Sequence, residues 1–212
     1  PYYPYGCKRP TFHDEFLPTF NKPNVTLVDT APLGVTEINE NGVVHNEIEY
    51  PLDVLIYATG FQWMATSTFN MITGKNGKTL QQKWENEGTK TFLGLHSNGF
   101  PNLFIISGPQ GGGGQFNFTR IIESHSDYVV WMLKTLKEKG ATQVDVETSA
   151  ENDYAEHCKE ADINTRPLRD CISYYNGHGE GEPGSLAYYG GAQKWHEQRE
   201  LAQRTLKPYI FD

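Results

Sequence analysis

The chain has 212 residues, 37% of them hydrophobic and 13% aromatic, and a formal net charge of -8. That is enough for one substantial domain, or a domain with an appendage, and too apolar for a disordered segment. The acidic balance argues against nucleic acid as a partner, since a basic face would then be expected. Asn24 to Asp29 (NVTLVD) reads as a short strand. Gly34 to Asn39, Gly42 to His45 and Glu47 to Tyr50 follow, separated by Gly, Asn and Pro, and predict a small antiparallel meander. Asp53 to Thr59 (DVLIYAT) and Asn102 to Ser107 (NLFIIS) are contiguous apolar runs, the mark of strands covered on both faces. Each runs into glycine, at Gly60 and Gly108, where loops of an open α/β sheet gather around ligands. Thr119 to Lys139 has helical periodicity and stops at Gly140. Ser149 is placed to cap a second helix over Ala150 to Asp162. A glycine-rich segment, Asn176 to Gly191, precedes an amphipathic stretch from Gln193 to Leu206.

Cys7, Cys158 and Cys171 are odd in number and far apart, which predicts reduced thiols rather than a disulfide framework. Two sequons, at Asn24 and Asn117, come with no signal peptide, and no apolar run reaches the roughly 20 residues of a membrane span. A soluble cytoplasmic protein is the expectation. The opening PYYPYGCKRP carries no initiator Met and reads as a sequence cut from something longer.

The stretch GPQGGGGQFNF, Gly108 to Phe118, is the most unusual feature. A phosphate-binding P-loop needs Lys and Ser or Thr after the last glycine, but Gln115 and Phe116 follow. The dinucleotide fingerprint fits only loosely, as any glycine tract would. A flexible linker is disfavoured, because a buried-type strand enters the run and a helix, with Asn117 as its cap, leaves it. The favoured reading is a strand-to-helix loop that omits side chains because something packs on its backbone. The seven histidines are scattered, and His196 begins an HExxE rather than an HExxH, so no metal site is predicted. The hydrolase elbow GxSxG is absent. Lys8 and Arg9 beside Pro10 form either an ordinary exposed basic turn or a fixed positive charge able to stabilise an anion.

Gly6 to Pro10 (GCKRP), Phe20 to Asp29, Asp53 to Phe61 (DVLIYATGF) and Gly99 to Gln110 (GFPNLFIISGPQ) together resemble the Baeyer–Villiger monooxygenases. These flavin enzymes bind FAD and NADPH. The matching features keep their order along essentially the whole chain. The family's FxGxxxHxxxW signature and both GxGxxG fingerprints are missing, so the resemblance implies a C-terminal portion. The implied fold is α/β: an incomplete Rossmann-like FAD-binding domain with a small β meander and C-terminal helices. Residues 1–23 would end the NADPH domain, 24–148 would belong to the FAD domain, and 149–212 would form a helical segment with a cofactor-closing loop.

The implied reaction inserts one atom of O2 beside a ketone carbonyl, through a flavin C4a-peroxide, to give an ester or lactone. A cyclic or bulky ketone is the implied substrate. Arg9 matches the active-site arginine, whose permanent charge would stabilise the anionic adduct. Lys8 matches a residue beside the nicotinamide cofactor. Ala58, Thr59 and Gly60 match the loop that approaches FAD, and Asn117 and Phe118 match the helix start beside the flavin ring. Gly111, Gly112, Gly113, Gly114 and Gln115 would lie between flavin and substrate, where many relatives carry proline and serine. Tyr174 stands where Trp is frequent, in the loop that closes over NADP. A heteroatom-oxidising flavin monooxygenase, which would not need Arg9, and a non-catalytic binding relative are the alternatives. As it stands, a chain without either fingerprint is expected to hold FAD poorly, because the pyrophosphate sites are absent from it.

Overall fold

A computed structural model describes residues 7–8, 11–60, 67–112, 117–165, 171, 173 and 186–212. The chain divides into two compact units, one formed by Pro1–Arg9 with Gln62–Asp212, the other by Pro10–Phe61.

The smaller unit contains a short helix α1 (Phe16–Thr19) and three strands, β1 (Glu37–Ile38), β2 (Gly42–His45) and β3 (Ile48–Pro51). They form the predicted antiparallel meander, β1-β2-β3, with Ile38 opposite Val43 and Val43 opposite Tyr50. Two turns set this register. Asn39 Oδ1 accepts the amides of Asn41 and Gly42, at 2.9 and 3.0 Å. Asn46 and Glu47 both take positive φ, 49° and 64°, as a two-residue turn between right-twisted strands requires.

Two expectations fail in this unit. Asn24–Asp29 forms no strand, and Asp53–Gly60 is irregular and exposed, with Val54 at 73% and Ile56 at 83% of full accessibility. A strand exists only through its ladder partners, and no described residue pairs with these segments.

In the larger unit, helices α2 (Ser67–Met71), α3 (Leu80–Glu87), α4 (Phe118–Lys139), α5 (Thr148–Thr165) and α6 (Ala192–Thr205) accompany strands β4 (Val144–Val146) and β5 (Tyr209–Phe211). Asn117 caps α4 as predicted, its side chain accepting the Arg120 amide, and Gly140 ends the helix in the left-handed conformation. Ser149, by contrast, lies inside α5, which begins at Thr148. The α3 helix carries a reciprocal capping box between Thr79 and Gln82. The β4 and β5 strands pair antiparallel, Val144 opposite Phe211, tying the chain's last residues to the segment between α4 and α5.

The core gathers Leu93, Leu95, Tyr128, Met132, Val144, Val146, Tyr188 and Trp195 between α4, the β4–β5 pair, α5 and α6. Asn102–Ser107 passes through this unit without becoming a strand. Asn102 takes φ 59° and the Ile105 amide finds only the Leu95 carbonyl, at 2.8 Å, so no ladder develops.

A buried ion pair stitches α3 to α5. Lys83 Nζ donates to both carboxylate oxygens of Glu151, at 2.9 and 2.7 Å, to Ser97 Oγ and to the Asn98 carbonyl. Glu151 also accepts from Ser97 Oγ and the Asn98 amide, so the charges are fully hydrogen-bonded.

Candidate active site

The segment that leads into the glycine run is held in one shape by buried polar groups. Ser107 and Gln110 both adopt positive φ, 56° and 63°, a conformation few residues other than glycine take without support. The support at Gln110 is dense. Its Oε1 accepts the Thr91 amide and hydroxyl, both at 2.8 Å, and its Nε2 donates to the Thr89 carbonyl at 3.1 Å. Its own carbonyl accepts the Tyr154 hydroxyl, from α5, at 2.8 Å, and its amide donates to the Leu186 carbonyl at 3.2 Å. The side chain is buried, and the loop start is anchored in three directions.

His125, on the buried face of α4, holds the other side. Its Nδ1 accepts the Ser107 amide at 3.0 Å, which places the ring proton on Nε2. Burial is the largest influence on its pKa, lowering it from 6.5 to about 4, with the Gly111 backbone acting in the opposite sense and Arg199 adding to the depression. The ring is therefore neutral at pH 7. His96, which bonds Tyr128 at 2.8 Å, is lowered by burial to about 3.

The first two glycines of the run answer why side chains are missing there. A Cβ on Gly111 would lie 2.8 Å from His125 Cε1, and one on Gly112 would lie 2.6 Å from Ile121 Cδ1. The loop backbone is pressed against the first two turns of α4: a methyl group would collide with the His125 ring at Gly111, and at Gly112 it would have to turn aside the tip of Ile121. Gly111, Asn117, Ser124, His125, Trp195 and His196 also line a cavity of about 120 Å³. That is small beside the several hundred Å³ of an ordinary ligand pocket, so it is a packing gap beside the loop rather than a ketone site.

The structure thus brings Gly111 and Asn117 to one cavity, with Gly112 against Ile121 and Phe118 in the exposed first turn of α4. Ala58, Thr59 and Gly60 are exposed in the smaller unit, and Gly60, at φ 95°, has no atom within 4 Å of where a Cβ would stand. Lys8 is exposed beside a buried Cys7. Arg9, Gly113, Gly114, Gln115 and Tyr174 lie outside the described residues.

The cysteines require a correction. Cys7 and Cys171 form a disulfide, and of the three only Cys158 is a free, buried thiol. The two partners are 164 positions apart in sequence but 6.0 Å apart between Cα atoms, a proximity that spacing arithmetic cannot reveal. The bridge fastens the turn carrying Lys8 to the segment before Ser173.

Several residues that hold the site were not singled out from sequence: His125, Gln110, Tyr154 and Trp195. For His125 a signal was present. It falls on the apolar stripe of α4 with Ile121, Tyr128, Met132 and Leu136, and a polar ring there must find partners inside the protein.

Known proteins place these features in context. No family model matches the chain. A protein of Streptomyces coelicolor named Baeyer–Villiger monooxygenase is 37% identical over 203 residues, covering 93% of this chain and 34% of its own. The polycyclic ketone monooxygenase of Thermothelomyces thermophilus is 41% identical over 160 residues, 71% of this chain and 24% of its own. Among solved structures, an oxidized steroid monooxygenase bound to NADP superimposes with a TM-score of 0.83 at 28% identity, covering 97% of this chain and 38% of its own. The thermophilic fungal polycyclic ketone monooxygenase gives 0.81 at 30% identity, covering 99% and 36%. The chain spans about a third of the length of the curated relatives it matches. No described helix is long and apolar enough to cross a membrane. By sequence identity over nearly its whole length and by fold, this chain is a homologue of the C-terminal portion of the Baeyer–Villiger monooxygenases.

Proposed function

We propose that this chain forms the C-terminal part of an FAD- and NADPH-dependent monooxygenase that converts a cyclic or bulky ketone to an ester or lactone. The observation that carries the reading is the run of relatives named Baeyer–Villiger monooxygenase or lactone synthase. They are 36–37% identical over 93–98% of this chain. Solved neighbours that contain FAD and NADP share the same fold across 99% of it. On this reading residues 1–23 close the NADPH domain, 24–148 complete the FAD domain and 149–212 carry the cofactor-closing loop.

The residues present suit a flavin. The 22-residue α4 begins at exposed positions, so the positive end of its dipole faces outward at Asn117 and Phe118, where an electron-rich ring edge would be favoured. Ala58, Thr59 and Gly60 offer an exposed backbone, with open space at Gly60, against which a flat cofactor can lie. FAD, reduced by NADPH, supplies the activation of O2. Arg9 supplies a permanent positive charge where negative charge accumulates on the ketone oxygen, a role its guanidinium fills at any working pH. Lys8 and Tyr174 would serve the nicotinamide cofactor, and Gly111 to Gln115 would lie between flavin and ketone. The anchored geometry of Ser107–Gly112 supports that last assignment, because a wall must be rigid before it can orient a substrate.

The test is made on the full-length protein that contains this chain. It should be yellow and should oxidise NADPH faster when a ketone is added. Arg9→Ala should lower ester formation by about 10²–10³-fold while leaving reduction of the flavin by NADPH intact. Undiminished ester formation in that variant would remove Arg9 from the chemistry. The 212-residue chain by itself should bind FAD weakly.

A further inference from the structure

A residue outside the matched motifs touches both ends of the segment that enters the glycine run. We propose that His125 is a positioning residue that fixes the backbone of Ser107–Gly112 and thereby keeps oxygen transfer to the ketone ahead of wasteful peroxide release. The inference rests on the monooxygenase reading for its catalytic consequence. For its structural part it rests on contacts alone.

Those contacts grip the loop at both ends. At one end Nδ1 accepts the Ser107 amide, which the left-handed backbone at that residue turns away from any strand partner. At the other end the ring edge occupies the space a Gly111 side chain would need, so any side chain there would force the ring or the loop to shift. The ring is itself fixed. Trp195 of α6 lies against it with centroids 5.2 Å apart at 33°, and Trp195 Nε1 donates to the Leu93 carbonyl at 3.1 Å. A rigid histidine, braced from α6, thus sets where the loop backbone stands as it enters the glycine run. A shifted wall would admit water or misplace the ketone, and either favours loss of the activated oxygen as hydrogen peroxide.

Two substitutions in the full-length protein separate acceptor from ring. His125→Phe keeps a flat ring beside Trp195 but has no acceptor for Ser107, whereas His125→Asn keeps an acceptor near Nδ1. Hydrogen exchange at residues 107–112 should accelerate about tenfold or more in His125→Phe and stay close to the parent in His125→Asn. With a ketone present, peroxide released per NADPH should rise about threefold or more in the Phe variant and recover in the Asn variant, with flavin reduction by NADPH unchanged. If His125→Phe fails to fold, Gly111→Ala carries the test, since its methyl pushes on the same ring from the loop side and should raise both readouts. Unchanged exchange, or faster exchange with the same peroxide-to-ester ratio, overturns the proposal. A parent protein that makes no ester from any ketone overturns the monooxygenase reading instead, and the exchange pattern then still decides the structural part.

Discussion

The two units of the chain treat their apolar residues in opposite ways. In the larger unit, apolar positions on α4 and α6 and the β4–β5 pair close on one another, and even charged groups such as Lys83 and Glu151 are buried with their partners. In the smaller unit the meander is formed, yet Leu27, Ile38, Val54, Ile56 and Tyr57 face outward and His45 alone is buried among its described residues. The difference shows that a segment's pattern and its partners are separate requirements. The run DVLIYAT is written for two covering layers, which its own unit does not supply.

The comparison can be broken or sharpened by substitution. The largest effect should be on chemistry. Arg9→Ala should lower ester formation by about 10²–10³-fold, the usual cost of removing a group that stabilises developing charge, measured as kcat with a ketone. Next comes the buried pair. Glu151→Ala leaves Lys83 charged and unpaired and should cost the larger unit about 3–5 kcal/mol, read by denaturant unfolding. Tryptophan fluorescence reports on this unit alone, because residues 10–61 contain no Trp.

Acid should weaken the larger unit selectively. His125 and His96 are neutral when folded, with pKa values lowered to about 4 and about 3 from 6.5. As pH falls below 6.5 the unfolded chain takes up protons that the folded chain refuses, so stability declines until the folded pKa is reached. For His125 this amounts to about 3 kcal/mol between pH 6.5 and 4, and for His96 it is larger. Fluorescence-monitored unfolding across that range should show the loss. A flat profile would mean that the two rings are not buried neutral.

The smallest effects should be on the surface. Arg120→Ala removes an exposed pair with Glu123 and should change stability by less than about 0.5 kcal/mol. Ile56→Thr should be equally mild in the 212-residue chain. In the full-length protein it should cost about 1–2 kcal/mol if the segment is covered there.

How much of this was legible depended on whether a feature is local. Helix α4 was, because Asn117, an apolar stripe and Gly140 lie in one continuous stretch. The meander was too, because its turn residues are adjacent to its strands. The capping box at Thr79 and Gln82 is local in the same way, a Thr followed three residues later by Gln. The β4–β5 pair was not readable: it joins Val144 to Phe211 across the chain, and three-residue strands carry almost no period of their own. The Cys7–Cys171 bridge was hidden for the same reason. In the site, the omission of side chains at Gly111 and Gly112 was visible. That His125 and Ile121 were what they lie against was not, since glycine records the absence of space and not its occupant.

The central claim is that this chain contributes to a site that inserts oxygen next to a ketone. Its most direct test is mass spectrometry of the product formed by the full-length protein from a cyclic ketone under isotope-labelled dioxygen with NADPH. The account predicts a lactone carrying one labelled atom at the ring oxygen. An oxidised product whose new oxygen comes from water, or oxidation at nitrogen or sulfur substrates with ketones untouched, would contradict it.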